Sequence, residues 1–166
     1  MHTAYLISVW LHIIAAMTWI GGMLFLVTVL VPMLRSAEMR PKAAELFHVI
    51  GVRFRVVGWV ALTTLIITGT FNITIRGYTL GQIVSLDVFA GPWGKTLAHK
   101  LGCVGLILIL SGLHDFWLGP KATRLARGGA APEERERFRR VASLMGRATL
   151  LLALAVVAFA VALVRG

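Results

Sequence analysis

The stretch YLISVWLHIIAAMTWIGGMLFLVTVLVPML, from Tyr5 to Leu34, contains no Asp, Glu, Lys or Arg. About 20 apolar residues are enough to cross a hydrocarbon core. This run is longer, so it predicts a tilted or extended transmembrane helix. It has no basic leading region and no A-x-A site after it, and therefore reads as a retained helix rather than a cleaved signal. Three more apolar runs follow, near Val56–Ile75, Pro92–Leu118 and Val141–Val164. With their polar approaches included, the predicted helices span about 5–34, 45–75, 92–118 and 138–164. The expected fold is all-α: a four-helix transmembrane bundle forming a single integral membrane domain over residues 1–166.

Composition agrees with lipid as the solvent. Hydrophobic residues make up 58% of the chain, and the mean hydropathy is +0.82. A soluble domain is far more polar. The net charge of +10 would suggest nucleic acid in a soluble protein. Here the charges fall between the apolar runs, so topology and anionic lipid head groups account for them and no nucleic-acid partner is expected. The one cysteine, Cys103, lies in an apolar run, which rules out an intrachain disulfide.

The charges also give a direction. The first connection carries Arg35, Arg40, Lys42, Arg53 and Arg55, and the third carries Lys121, Arg124, Arg127, Arg135, Arg137, Arg139 and Arg140. The second is nearly neutral, with Arg76 and Lys95 against Asp87. The positive-inside rule puts the basic connections in the cytoplasm and both termini outside.

Ionisable groups at membrane depth are costly and mark functional positions. They are His12, His99, Lys100, His114, Asp115 and Arg147, with His48 on the approach to the second helix. His12 lies seven residues after Tyr5, and His99 seven after Pro92. Both sit about 10 Å below the same edge of the bundle. His99 and His114 are fifteen residues apart, which separates them by roughly 60° around the axis and about 22 Å along it. That layout predicts His12 and His99 as axial ligands of one b-type haem, and His48 with His114 as the ligands of a second. Lys100 is placed to snorkel or to neutralise a haem propionate. Met17 and Met23 are soft donors suited to Cu(I), but their six-residue spacing turns them to opposite faces and core packing is the expected role. Trp93 and Trp117 read as interface anchors.

Three segments carry a resemblance. Residues 10–35, WLHIIAAMTWIGGMLFLVTVLVPMLR, resemble the first helix of the CopD-like (copper resistance D) membrane family. So do residues 53–72, RFRVVGWVALTTLIITGTFN, and residues 91–113, GPWGKTLAHKLGCVGLILILSGL, with its Gly-Lys-x-Leu-x-x-Lys-Leu run. That resemblance implies copper uptake across the inner membrane of a bacterium, with His12, His99 and Met17 handling the ion. A weaker similarity, at the His12 helix and at His99-Lys100, is to HemJ-type protoporphyrinogen oxidases. It implies His12 as a haem ligand and Lys100 as functionally important. The Tyr, Arg and aromatic that follow the Gly pair in that group are replaced here by Phe25, Thr28 and Leu30.

Together the residues predict a haem b protein, with one or two haems, acting in transmembrane electron transfer or a quinol-linked redox step. The expected partners are the lipid bilayer and a quinone or another redox protein, with homo-oligomers or a larger complex as further arrangements. Copper binding and import is the alternative, and a non-catalytic subunit of a membrane complex is the third reading. The topology is directly measurable. Reporter fusions at both termini should signal the outer compartment, and a fusion in the 128–131 turn should signal the cytoplasm.

Overall fold

The computed structural model describes residues 2–79, 81–82, 85–128 and 131–165, with the side chains of Ala44, Thr123, Ala126 and Arg127 left aside. The described residues form helices and turns, with no strand among them. Four long helices organise the chain: α1, His2–Arg35; α2, Ala43–Ile75; α3, residues 91–127; and α4, Pro132–Arg165. All four contain a span long and apolar enough to cross a membrane. The protein is a four-helix, multi-pass membrane bundle.

Proline positions explain how these helices begin and bend. Pro92 and Pro132 open α3 and α4, where the missing N–H costs nothing and the fixed φ suits the first turn. Glu133 and Glu134 add favourable negative charge to the start of α4. Pro32 and Pro120 instead lie inside α1 and α3. A mid-helix proline removes one hydrogen bond and clashes with the carbonyl four residues earlier. Those carbonyls belong to Thr28 and Phe116, and both lie in π-helical turns, Leu26–Leu30 and Leu113–Leu118. Each wide turn takes up the clash and lets its helix continue.

The sequence-based helix ends are therefore too short. The third helix, expected to close near 118, runs on to Arg127, because the π turn absorbs Pro120. The fourth starts at Pro132 rather than near 138, its first turns stabilised by Glu136 pairing with Arg139 and Arg140. The turn expected over residues 128–132 includes Gly129 and Ala130, which lie outside the described residues. Gly77, with φ of +93°, ends α2 in the left-handed conformation that favours glycine.

Consecutive helices pack as antiparallel pairs, α1 with α2 and α3 with α4, and α1 also meets α4. The antiparallel order gathers the chain ends and the 76–90 connection at one end, and the basic connections at the other. The main core lies between: Ala15, Trp19 and Met23 of α1, Ala61 and Leu62 of α2, Ile107 of α3 and Ala153 of α4. Trp19 lies over Gly58, where an added Cβ would stand 3.6 Å from the indole. Gly22 makes room for the ring of Phe54, which an added Cβ would overlap. A smaller cluster of Val88, Leu97 and Leu163 closes the end near the chain termini, beside the stacked rings of Tyr78 and Trp93. Trp10, Met17, Val60, Ile67 and Phe116 turn outward, as a lipid-facing surface requires.

Trp19 is 5% exposed and Met17 is 66% exposed. Trp19→Ala should therefore destabilise the folded protein by about 3–5 kcal/mol, while Met17→Ala should change stability little. Equilibrium unfolding in mixed micelles, followed by helical circular dichroism, checks both.

Candidate functional site

At the end of the bundle near the chain termini, Ser8 and His12 stand one turn apart on α1 and face Thr68 of α2. The Thr68 hydroxyl lies 2.6 Å from the Thr64 carbonyl, which can only accept, so the hydroxyl proton is committed there. His12 Nδ1 lies 2.7 Å from the same hydroxyl oxygen. The imidazole must therefore donate from Nδ1, which leaves Nε2 as a free lone pair. Fixing one ring nitrogen by an outer partner is how proteins orient a metal-binding imidazole. The Ser8 hydroxyl donates to the Thr68 carbonyl at the long distance of 3.5 Å. Gly69 keeps α2 close to the ring, since a Cβ there would stand 3.4 Å from His12 Cε1.

Polar groups continue along α2 at four-residue spacing: Thr64, Thr68, Asn72 and Arg76. Asn72 Oδ1 is buried with no hydrogen-bond partner. Lys100 of α3 follows His99 and is partly buried. The structure thus joins His12 to Thr68, with Asn72 one turn further along α2. The sequence signal for Thr68 and Asn72 was their four-residue spacing, which puts them on one face of α2.

His99 is held elsewhere. Its Nδ1 donates to the Lys95 carbonyl at 2.7 Å, and its ring stacks on Phe159 of α4 with centroids 5.8 Å apart. It is exposed on the α3–α4 pair, whereas His12 is tied to the α1–α2 pair. No hydrogen bond or ring contact links the two imidazoles. Trp93, expected as an interface anchor, stacks on Tyr78 at 5.2 Å and lies under the Arg76 guanidinium.

The basic end holds a second group. His114 and Asp115 lie in the π turn of α3. Asp115 Oδ1 is 3.0 Å from His114 Nδ1, and Oδ2 accepts the Trp59 indole N–H at 3.0 Å. Arg55, one turn before Trp59, approaches Gly119 and keeps its Nε buried without a partner. His48 is exposed and forms no hydrogen bond or ion pair with the described residues, so nothing joins it to His114. Lys121 covers the rings of Trp117 and Phe138, at 5.4 and 4.6 Å from their centroids. Among the described residues no three His, Cys, Asp or Glu side chains gather in a geometry that holds a metal ion.

The hydroxyl of Thr68 fixes the His12 tautomer, so Thr68→Val should release it while Thr68→Ser should keep it. Nitrogen-15 chemical shifts of the His12 ring distinguish the two states. A ring that stays protonated at Nδ1 in the valine variant would remove Thr68 from this role.

The family described as Copper resistance protein D matches residues 48–163. The match takes in His48, His99, Lys100 and His114, and begins after α1. A protein of unassigned function from Aquifex aeolicus (strain VF5) is 32% identical over 114 residues, covering 68% of this chain and 68% of the relative. No solved structure matches the chain. The family match covers well over half of a four-helix membrane bundle whose polar residues collect at two ends, and the chain accordingly belongs to the Copper resistance protein D family.

Proposed function

We propose that this protein binds copper within the membrane and carries it across, with His12 as a ligand at the end near the chain termini. Family membership points to the metal. The supporting geometry is the His12 Nε2 lone pair, freed by the hydrogen bond from Nδ1 to Thr68. Imidazole is a suitable copper ligand. The compartment consistent with the charge pattern is a bacterial cytoplasmic membrane, with the basic connections inward.

One observation favours a second reading. Arg76 caps α2 and Lys100 lies in the first turns of α3, which places two cations at the end of the bundle that holds His12, an arrangement that also fits the propionate edge of haem b. Electron transfer to a quinone or a redox protein belongs to that reading.

Metal analysis and an absorption spectrum of the purified protein separate the two. Copper in the wild type, reduced in His12→Ala and without a Soret band, is the expected result. Stoichiometric iron with a Soret band and no copper would replace the copper reading with haem.

A further inference from the structure

Asp115 stands before two donors of α2 and bonds to only one of them. The carboxylate lies in the π turn of α3. Its Oδ2 accepts the Trp59 indole N–H at 3.0 Å, and Trp59 also packs on Phe116, with ring centroids 5.5 Å apart. Arg55 lies one turn nearer the basic end, on the same face of α2. It sits opposite Gly119, where an added Cβ would stand 3.7 Å from Arg55 Nη2. Its Nε is buried without a partner, and among the described residues Arg55 enters no hydrogen bond or ion pair. A guanidinium is always charged, and a buried donor left unpaired costs free energy. The anion that would satisfy it is Asp115, one turn away along α3.

The structure leaves that turn open to be crossed. Within each helix pair the packing runs along the helices, but close backbone approaches between α2 and α3 are few. The place opposite Arg55 is held by Gly119, which has no side chain to clear. Moving α3 toward the basic end by one turn, about 5.4 Å, would put Asp115 in that place. Packed helices re-engage when ridges pass on to the next groove, so a whole turn is the step that restores packing. The core shared by the two pairs is apolar, and its contacts can re-form after such a step. His114 travels on the same turn and keeps its bond to Asp115. At the other end, Arg76 and Tyr78 meet Trp93 through ring faces, and no hydrogen bond has to break there.

From this arrangement we infer that α3 and α4 slide against α1 and α2 between two registers, with Asp115 exchanging Trp59 for Arg55. The structure holds the Trp59 register. Each register leaves one donor of α2 unpaired, the guanidinium in the first and the indole in the second. The second gains a charge-assisted bond and gives up the contact of Trp59 with Phe116. Opposed terms of this kind keep two states close enough in free energy for both to be populated. The slide changes which residues of one pair face those of the other. A carrier needs such a change to take up its cargo at one end and release it at the other. The inference does not depend on the cargo being copper.

The test is pulsed electron paramagnetic resonance on the full chain in liposomes. Spin labels are placed by Ile75→Cys on α2 and Ile109→Cys on α3, both exposed positions. Cys103, the one native cysteine, is replaced by alanine. Movement of α3 toward the basic end lengthens this separation by up to about 5 Å. The parent should populate the shorter separation most. Trp59→Phe should raise the longer one severalfold. Arg55→Met, alone or added to Trp59→Phe, should remove it. Helical circular dichroism checks that each variant is folded, and the opposite effects of the two changes separate a register shift from general loosening. A folded Trp59→Phe protein that keeps only the shorter separation would overturn the inference. So would a longer separation that survives Arg55→Met.

Discussion

Hydrocarbon offers no hydrogen-bond partner, and the structure depends on that single constraint. Each backbone N–H and C=O in the bilayer must be satisfied within the segment, so the chain crosses as helices. Every side-chain donor or acceptor at depth likewise needs a partner in the protein. Threonines on α1, α2 and α4 return their hydroxyls to carbonyls of their own helices, as Thr28, Thr64 and Thr149 do. Thr68 does the same and so becomes an acceptor for His12. The chemistry of His12 thus follows from the need of a neighbouring hydroxyl to place its proton.

The same constraint accounts for the two π turns. A proline inside a membrane helix frees a carbonyl that lipid cannot bond. Widening the turn before Pro32 and before Pro120 reconciles continuity with the missing donor. In α1 the wide turn carries only apolar residues and Thr28. In α3 it carries His114 and Asp115, so a device that accommodates proline also presents a carboxylate-backed imidazole. Trp59 then ties this turn to α2. It is a polar link between the two helix pairs, placed where apolar packing alone would leave them free to slide.

The two ends differ in charge as well as in composition. Near the chain termini the His12 imidazole is bonded to a neutral hydroxyl, and at the basic end the His114 imidazole is bonded to a carboxylate. The haem arrangement expected from matched depths requires His12 and His99 to face each other. The structure ties one to α2 and stacks the other on α4.

Sequence alone determined the four membrane helices, the basic and neutral ends, and the short roster of ionisable groups at depth. Lipid imposes these through composition and length, which can be read without knowing any contact. Depth could be estimated too, because the helical rise is constant, and it put His12 and His99 at one level. Rotation about each helix axis was not legible. In a soluble helix an apolar stripe marks the inner face. Here lipid and core are equally apolar, so His12 and His99 carried no sign of which neighbour each would face. The Thr68 partnership, the Trp59–Asp115 link and the orphaned Asn72 oxygen arise only when particular helices pack, since the side chains that meet there lie far apart in the chain. The longer third helix belongs with them: Gly119-Pro120 reads as a break, and only the π turn before it, seen in three dimensions, lets the helix continue.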